Sequence, residues 1–355
     1  MKVVVACGGT GGHAFPGLAV AEELRKRGCE VVVWDSGRDI ESSVMKRWTG
    51  AVFSTGAKPL ALKNLLAIWR SFVRCRKELK RSHPDVMLAM GSYSSLPPVL
   101  AARSCGVVVA LHEANTVPGK AVEFLSRFAD KVAISFAKTA EYLPNAKTEL
   151  TGLPVRSDIA SGVRFPFIPA DSFTIFVTGG SQGAHAVNML AKDALAMMKK
   201  TLDERKSGRK LYVIHQTGAR DEGPVMATYA HVSLPSRVHA FECEMANAFA
   251  SADVVIARAG ASTCFELAVC GKPALLVPLP TAMRDHQHFN AEAFAAKGAV
   301  DEGVQARLSP RQLCRYLLHL YDHPERRFEM SRKIRDLATP DAAARVADLV
   351  CSLAK

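Results

Sequence analysis

Short runs of β-branched and aliphatic residues alternate along the chain with longer stretches whose apolar positions recur at helical spacing. In the first half these runs predict strands at residues 3–6, 31–34, 86–90, 107–111 and 132–134. In the second half they predict strands at residues 173–177, 211–215, 254–257 and 274–277. Because strands that alternate with helices form parallel sheets, the pattern predicts an α/β fold built from βαβ units.

The alternation is interrupted near the middle of the chain, where glycines and prolines crowd a segment that has neither period. A length of 355 residues also favours two domains over one. We therefore expect a Rossmann-like, doubly wound N-terminal domain over residues 1–155, a linker over 156–170 and a similar C-terminal domain over 171–338, with a cleft between them. Residues 339–355 are expected to form a final helix that packs back on the N-terminal domain.

Composition is that of a folded chain rather than a disordered or membrane-spanning one, with 48% hydrophobic and 23% charged residues. Apolar runs stay below the roughly 18–20 residues that cross a bilayer, and the first strand breaks at glycines, unlike a signal peptide. These features predict a cytoplasmic protein. The nine cysteines lack any Cys-X-X-Cys pair, so neither a disulfide framework nor a zinc site is indicated. A net charge of +12 favours a polyanionic partner: nucleic acid, an anionic membrane or a phosphorylated substrate.

Two glycine loops carry the strongest chemical signal. Residues 8–13 read GGTGGH after the first predicted strand, and residues 179–185 read GGSQGAH after the strand that begins the second half. A loop of this kind presents unpaired backbone N–H groups beside the positive end of a helix dipole, and glycine lets a phosphate approach closely. The repetition predicts one phosphate site in each domain.

Two other classes of protein stay open at this point. Gly9, Gly11 and Ala14 match a dinucleotide fingerprint, and Asp35 ends the second strand where a ribose-binding acid of a dehydrogenase would lie. Against this alternative, His13 is bulky for a phosphate-facing turn, and the second loop would have no role. A nucleic-acid-binding protein would use the positive charge, but its usual motifs are absent from the sequence. The sequence also lacks P-loop, DxD and HExxH motifs, so we expect no metal ion, no cofactor and no nucleic-acid partner.

Five stretches resemble the MurG family of glycosyltransferases, glycosyltransferase family 28. They are residues 8–20 (GGTGGHAFPGLAV), 112–115 (HEAN), 179–184 (GGSQGA), 258–266 (RAGASTCFE) and 285–287 (DHQ). The resemblance implies a GT-B fold, which is two Rossmann-like domains with the active site between them. It further implies a hexosyltransferase that moves N-acetylglucosamine, with inversion, from UDP-N-acetylglucosamine to undecaprenyl-diphospho-muramoyl-pentapeptide (lipid I to lipid II) in peptidoglycan synthesis.

The resemblance also implies a set of substrate-binding residues, carried over by position. The loop at Thr10 meets substrate diphosphate, Ser181 stands in the loop that holds the UDP pyrophosphate, and Asn115 and Arg156 match donor-site positions. Glu266 accepts hydrogen bonds from ribose hydroxyls, unless it only favours the helix dipole, and Gln287 reaches the sugar. The full set is Thr10, Gly11, Gly12, Tyr93, Asn115, Arg156, Ser181, Gln182, Ala261, Ser262, Thr263, Glu266 and Gln287.

Inverting transfer needs a base for the acceptor hydroxyl and groups that stabilise the leaving diphosphate. His13 is the first candidate base, with a purely structural imidazole as the alternative, and Glu113 is either a second candidate base or an orienting partner. Three positions depart from the family pattern: Leu153 replaces an asparagine, Ser92 replaces a glycine, and Glu242 stands where an aliphatic residue is expected against the uracil.

A basic amphipathic stretch at residues 58–81 completes the picture. Its apolar residues are Leu62, Leu65, Leu66, Trp69, Phe72 and Val73, and its cations are Lys63, Arg70, Arg74, Lys77 and Arg81. Such a helix either lies in the headgroup layer of an anionic membrane or packs on its sheet as an ordinary surface helix. Given the lipid-linked acceptor, we expect peripheral attachment to the cytoplasmic face of the inner membrane, with a cell-wall synthesis complex as a further candidate partner.

Overall fold

The structure is a computed structural model that describes residues 1–9, 11–37, 45, 48–59, 61–180 and 182–354. The chain forms two compact units. Unit 1 comprises Met1–Arg156 and Thr339–Lys355, and unit 2 comprises Ser157–Ala338. The chain therefore leaves unit 1 once and returns to it for its last helix.

Unit 1 contains a parallel sheet of seven strands. The strands are β1 (Lys2–Ala6), β2 (Glu30–Asp35), β3 (Ala51–Ser54), β4 (Val86–Ala89), β5 (Val108–Glu113), β6 (Lys131–Ile134) and β7 (Thr148–Leu150). The helices are α1 (Gly11–Lys26), α2 (Leu65–Ser82), α3 (Leu96–Ser104), α4 (Lys120–Leu125) and α5 (Thr139–Tyr142). The strand order is β3-β2-β1-β4-β5-β6-β7, with Val4 of β1 opposite Val32 of β2 and Met87 of β4.

Unit 2 contains a second parallel sheet, of six strands. The strands are β8 (Phe173–Thr178), β9 (Leu211–Gln216), β10 (Ser236–His239), β11 (Val254–Ala257), β12 (Ala274–Leu276) and β13 (Asp301–Glu302). The helices are α6 (His185–Glu204), α7 (Glu222–His231), α8 (Met245–Ser251), α9 (Ala261–Cys270), α10 (His286–Ala295), α11 (Pro310–Asp322) and α12 (Pro324–Arg335). The strand order is β10-β9-β8-β11-β12-β13, so both units have the doubly wound arrangement.

The last helix, α13 (Ala342–Leu353), belongs to unit 1 and packs beside α1. Val3 and Val5 of β1 share one buried cluster with Val346 and Val350 of α13. The alternate residues of β1 point to the other face of the sheet, where they join a cluster with Leu79 of α2. Both faces of the central strands are thus covered, which explains why their sequences are continuous apolar runs rather than alternating ones.

The segment that follows unit 1 is not a free connection. Residues 157–170, most of the expected linker, belong to unit 2, where Ile159, Phe165 and Ile168 are buried. Arg164 donates to the backbone oxygens of Ser251 and Pro169, each at 2.9 Å. Its glycines and prolines break helix and strand, but its apolar side chains still pack.

Candidate functional site

Both glycine loops lie at the carboxyl edge of their sheets, where the strand order reverses. In unit 1 the order turns between β1 and β4, and in unit 2 it turns between β8 and β11. Doubly wound sheets bind ligands at this position, because the connections that follow the two central strands run in opposite directions and leave a crevice. The topology therefore gives each unit a candidate site.

The first glycine loop (residues 8–12) connects β1 to α1 and packs against the turn after β4. Ser94 Oγ donates to Gly8 O at 2.5 Å. Gly9 has a φ of +127°, and a Cβ on it would lie 2.6 Å from Ser92 Oγ. The loop needs glycine at this position because of both its backbone conformation and its close neighbour.

His13 lies in the first turn of α1, after Gly11 and Gly12, and its side chain is half-buried. Its Cδ2 lies 3.6 Å from the place where a Cβ of Gly91, in the turn after β4, would begin. Burial lowers the pKa of His112 to about 4, and the charge of nearby His13 contributes to that lowering. His13 therefore lies at the carboxyl edge of the unit 1 sheet, beside the first glycine loop.

Glu113 ends β5 and is only 4% exposed. Its Oε1 accepts hydrogen bonds from Asn115 N at 2.8 Å and from Asn115 Nδ2 at 3.1 Å, and its Oε2 accepts one from Gly119 N at 3.0 Å. Burial raises the pKa of Glu113, and the hydrogen bonds from Asn115 and Gly119 oppose that rise. Since both oxygens hold the loop after β5, the geometry favours the orienting role over proton transfer.

Three further predicted residues of unit 1, Tyr93, Asn115 and Arg156, lie near the same edge of the sheet. Tyr93 begins the 3₁₀ turn Tyr93–Ser95 after β4, and Asn115 O accepts a hydrogen bond from Thr139 Oγ1 at 3.0 Å. The Arg156 guanidinium lies 5.1 Å from the centre of the Phe15 ring on α1, a cation–π contact. Arg156 is thereby held beside the helix that the first glycine loop begins.

The second glycine loop (residues 179–183) connects β8 to α6 and is held by the end of β9. Gly180 O accepts a hydrogen bond from Gln216 Nε2 at 3.1 Å. Gly183 has a φ of +74°, and a Cβ on it would lie 2.0 Å from Thr217 O. A side chain at Gly183 would therefore force the loop away from β9.

Two of the predicted binding residues, Thr10 and Ser181, lie outside the described residues. Gln182, which follows Ser181 in the second glycine loop, is exposed.

A chain of hydrogen bonds that the sequence did not indicate lies behind the second glycine loop. The Asp221 carboxylate forms hydrogen bonds with His185 Nδ1 and Asn188 Nδ2, each at 2.8 Å. Asn188 Oδ1 forms a further hydrogen bond with His215 Nε2, at 3.2 Å. The Nδ1 atom of His215 lies 2.9 Å from Tyr229 Oη. Burial opposes ionisation of Asp221, yet the hydrogen bonds from Asn188 and His185 lower its pKa overall. The carboxylate thus ties the start of α6 to the loop after β9.

The donor signature predicted at Ala261, Ser262, Thr263 and Glu266 forms the start of α9, beside the second glycine loop. Ala261 and Glu266 are buried, whereas Ser262 and Thr263 are half-buried. The first turn of α9 contains no acid, and Glu266 is the sixth residue of the helix. Because the dipole effect falls off within one turn, the alternative explanation of Glu266 as a dipole partner does not apply.

Two side chains, one before and one after α9 in the sequence, form hydrogen bonds with backbone atoms. Arg258 is buried and donates to Val277 O at 3.1 Å and Pro278 O at 3.0 Å, so it fixes the turn before α9. Gln287 Oε1 accepts a hydrogen bond from Leu279 N at 3.0 Å. The amide oxygen of Gln287 thus holds the turn that follows β12.

Glu242, one of the departures from the family pattern, is buried in an ion pair. Arg237 donates to it through Nε at 2.8 Å and Nη2 at 3.1 Å, and Glu244 N donates at 2.9 Å. Burial alone would raise the pKa of Glu242, but these hydrogen bonds lower it overall. Arg237 also stacks on the Phe165 ring, with 4.7 Å to its centre. The acid thus has a structural partner within unit 2.

The helix α2 presents large apolar side chains to solvent. Leu66 and Trp69 are each 61% exposed, and Leu65 and Val73 are also exposed. The face that packs on unit 1 is formed instead by Ser71, Cys75 and Leu79. Arg70, Arg74 and Lys77 accompany the exposed apolar residues. An ordinary surface helix would bury its largest apolar side chains, so this face is unusual.

Neither a metal centre nor a membrane span is found in the described ranges. No group of three or more His, Cys, Asp or Glu side chains among them is placed to hold a metal ion. No helix in that same part of the chain combines the length and apolarity needed to cross a bilayer.

Comparison with known proteins identifies the family. The N-terminal domain model of glycosyltransferase family 28 matches residues 3–134, and the C-terminal domain model matches residues 174–346. The chain belongs to glycosyltransferase family 28. The UDP-N-acetylglucosamine--N-acetylmuramyl-(pentapeptide) pyrophosphoryl-undecaprenol N-acetylglucosamine transferase of Geobacter sulfurreducens is 37% identical, over 98% of this chain and 97% of the relative.

Solved structures place the family 28 chain among GT-B glycosyltransferases. The crystal structure of MurG from Acinetobacter baumannii has a TM-score of 0.78 at 30% identity and covers 99% of each chain. A UDP-GlcNAc 2-epimerase from Neisseria meningitidis, bound to UDP-GlcNAc, has a TM-score of 0.74 at 16% identity and covers 99% of this chain, so that likeness concerns the fold alone. Membership of family 28 makes the chain a UDP-sugar glycosyltransferase and sets aside the dehydrogenase alternative.

Proposed function

We propose that this chain transfers N-acetylglucosamine from UDP-N-acetylglucosamine to the muramoyl C4 hydroxyl of undecaprenyl-diphospho-muramoyl-pentapeptide, with inversion at the anomeric carbon. The observation that carries the proposal is its similarity, over nearly the full length, to relatives named for this transfer. The activity is that of a hexosyltransferase of peptidoglycan synthesis, the step from lipid I to lipid II.

Unit 2 is the proposed donor domain. The second glycine loop and the amino end of α6 offer backbone N–H groups to the UDP pyrophosphate. Glu266 accepts hydrogen bonds from the ribose, and the NH₂ end of Gln287 meets the sugar. The position of the loop and of α9 at one switch point supports this assignment. Asn115 and Arg156 stay donor-site proposals that rest on the family resemblance.

Unit 1 is the proposed acceptor domain, with the first glycine loop at the acceptor diphosphate. His13 takes the proton of the attacking hydroxyl, since imidazole is the side chain that most often accepts a proton near neutral pH. Its place beside the first glycine loop supports this role. Glu113 keeps the Asn115 loop in place rather than reacting itself.

Replacing His13 with alanine tests the base directly. Turnover should fall about 10²-fold or more, while thermal unfolding stays near that of the wild type. His231, an exposed histidine at the end of α7, provides the matched control, and its alanine variant should keep full turnover. Near-normal turnover of the His13→Ala variant would remove the base role.

The leaving diphosphate is stabilised in this proposal by backbone N–H groups and by Arg156, without a metal ion. The chemistry of the sites supports this, since anion binding at helix N-termini needs no cation. Activity should survive in excess chelator. Complete loss of activity there, restored by a divalent cation, would contradict this part of the proposal.

We also propose that α2 docks the protein on an anionic membrane at the cytoplasmic face. The exposed Leu66 and Trp69 suit the acyl boundary, and Arg70 and Arg74 suit anionic headgroups. Attachment at this helix would bring unit 1 to the lipid-linked acceptor. A complex with other cell-wall enzymes stays a prediction of the resemblance alone.

Liposome binding tests the membrane proposal. Vesicles with anionic lipid should bind the wild type, and a Leu66→Ser, Trp69→Ser double variant should bind about tenfold more weakly or worse. Phe328, 73% exposed on α12 of unit 2, is the matched control, and Phe328→Ser should bind as the wild type does. Equal binding by all three proteins would discard α2 as the docking surface.

The decisive experiment for the function is a transfer assay. Radiolabelled UDP-N-acetylglucosamine and the lipid-linked muramoyl-pentapeptide should give labelled lipid product. A lipid-linked acceptor that already carries N-acetylglucosamine on the muramoyl C4 oxygen is the control and should stay unlabelled. Absence of product with the free acceptor, under conditions where the fold is intact, would refute the proposed function.

A further inference from the structure

Ser92 has a backbone conformation that belongs to glycine. Its φ is 71° and its ψ is 162°, a region that residues with a side chain almost never occupy. The chain therefore carries a side chain where the backbone disfavours one. Strain of this kind persists where the surroundings hold the residue in place, and it concentrates at binding sites.

The Ser92 side chain lies directly against the first glycine loop. Its Oγ is 2.6 Å from the place where a Cβ of Gly9 would begin, and it accepts a hydrogen bond from Ser94 N at 3.5 Å. Ser94 Oγ in turn donates to Gly8 O. The strained residue therefore lies inside the contact between the loop after β1 and the turn after β4.

The hydroxyl of Ser92 can donate a hydrogen bond to a ligand. Its oxygen already accepts from Ser94 N, and no hydrogen bond donated by its O–H is found within the described part of the chain. Ser92 is only half-buried, so a ligand can reach it. An anion that lies over the first glycine loop would offer oxygens that accept this hydrogen.

We propose that Ser92 is a positioning residue for the acceptor, and that its strained backbone holds the hydroxyl toward a phosphate oxygen bound at the first glycine loop. This inference rests on the proposed function, which assigns that loop to the acceptor diphosphate. It adds a hydrogen-bond donor supplied by the Ser92 side chain to the backbone N–H groups of the loop.

Three variants distinguish the effect of the strained backbone from the effect of the hydroxyl. Ser92→Gly removes both the strain and the hydroxyl, and Ser92→Ala removes the hydroxyl but keeps a Cβ in the strained conformation. Ser233→Gly is the matched control, because Ser233 also has a positive φ, of 50°, but lies after α7 in unit 2. Each variant is measured by thermal unfolding and by steady-state transfer kinetics.

We expect the unfolding temperature to depend on the strain of the Ser92 backbone and the KM for the acceptor to depend on the Ser92 hydroxyl. Ser92→Gly should unfold on the order of 2–4 °C higher than the wild type, and Ser92→Ala should not. Both should raise the KM for the lipid acceptor about tenfold, the usual effect of losing a hydrogen bond to a charged group, with the donor KM unchanged. Ser233→Gly should leave both KM values unchanged.

Several results would overturn the inference. An unchanged acceptor KM in Ser92→Gly would show that the hydroxyl has no role. A raised KM in Ser92→Gly alone would assign the effect to loop flexibility instead. A lower unfolding temperature of Ser92→Gly would show that the backbone is not strained.

Failure of the proposed function gives a different pattern. If the wild type transfers no sugar, binding of inorganic pyrophosphate measured by calorimetry decides the role of Ser92. Weaker binding by both Ser92 variants than by Ser233→Gly would support an anion contact at this loop and refute only the assigned reaction. Equal binding by all of these variants would refute the Ser92 contact as well.

Discussion

Replacing Glu113 with glutamine separates a structural anchor from a catalytic base. The carboxylate accepts three hydrogen bonds, two from Asn115 and one from Gly119. Glutamine keeps the shape and one acceptor oxygen, which can serve Asn115, but its NH₂ group then faces Gly119 N, another donor. Leaving such a buried pair unsatisfied costs about 1–3 kcal/mol. Since burial raises the pKa of Glu113, a neutral amide recovers part of this cost, and we expect a net loss near the lower limit.

The kinetic effect should appear mainly in donor binding. A displaced Asn115 should raise the KM for UDP-N-acetylglucosamine several-fold, with a fall in kcat below about tenfold. Loss of a general base would instead lower kcat by about 10²-fold or more and remove its ionisation from the pH profile. The assay is steady-state transfer across pH 5 to 9, with thermal unfolding of the same samples.

A matched variant guards this test against general damage. Glu149 lies on the edge strand β7 and pairs with Lys131 on the surface, so Glu149→Gln should change neither stability nor kinetics. The anchoring role is refuted if Glu113→Gln keeps the wild-type stability and donor KM. A loss of kcat beyond 10²-fold with an unchanged KM would return Glu113 to the list of candidate bases.

Three further predictions concern the two buried histidines, the second glycine loop and the ion pair of Glu242. Burial lowers the pKa of His112 to about 4 and that of His215 to about 3. Below about pH 6.5 the unfolded chain therefore binds more protons than the folded one. The free energy of unfolding should fall by about 1.4 kcal/mol per pH unit for each histidine as pH decreases from there. Urea unfolding at several pH values measures this fall. Gly183→Ala should weaken UDP binding at least tenfold in calorimetry, because its Cβ would overlap Thr217 O. Glu242→Ala should cost about 1–3 kcal/mol in urea unfolding, because the half-buried Arg237 loses its closest partner and keeps only the ion pair with Glu244.

Each of these predictions has a contrary result. Urea midpoints that stay constant between pH 7 and pH 5 would contradict the neutral buried histidines. UDP binding by Gly183→Ala equal to that of the wild type would show that the loop can move from β9. For Glu242, a loss below 1 kcal/mol would identify the pair as an ordinary surface interaction.

The sequence predicted the central strands and failed at the sheet edges. The nine strands it predicted are all confirmed within a residue or two, whereas β3, β7, β10 and β13 were not predicted. These four strands are the outermost of the two sheets. Central strands are covered on both faces and read as continuous apolar runs, but an edge strand such as Asp301–Glu302 is short and half-exposed, so its pairing depends on the neighbouring strand and leaves no local pattern.

In the candidate site, too, the sequence predicted features formed by neighbouring residues and missed contacts between distant ones. Glycine loops are local signals, because a strand, a turn and a helix follow one another in the chain. The hydrogen bond from Asn188 to Asp221 joins residues 33 positions apart, and the one from Ser94 to Gly8 spans 86 positions. Composition and periodicity carry no information on such pairs. Asp221 does follow the predicted strand at residues 211–215, and polar residues after strands meet at one edge, which was the available hint.

The two glycine loops resemble each other in sequence but are held by hydrogen bonds from different neighbouring strands. We expect this difference to affect which ligand each loop binds. In unit 1 a side-chain hydrogen bond to the described part of the loop comes from Ser94, after β4, on the switch-point side. In unit 2 the side-chain hydrogen bonds to the described part of the loop involve Thr178, at the end of β8 itself, and Gln216, at the end of β9, the outer neighbour of β8. In unit 2, α9 follows β11 on the switch-point side of the second loop, and Glu266 on this helix is the residue that we propose for the ribose. In unit 1, Ser92 and Gly91, which lies close to His13, follow β4 on that side. The proposed roles, nucleotide binding in unit 2 and proton transfer in unit 1, therefore depend on the different neighbours of two similar loops.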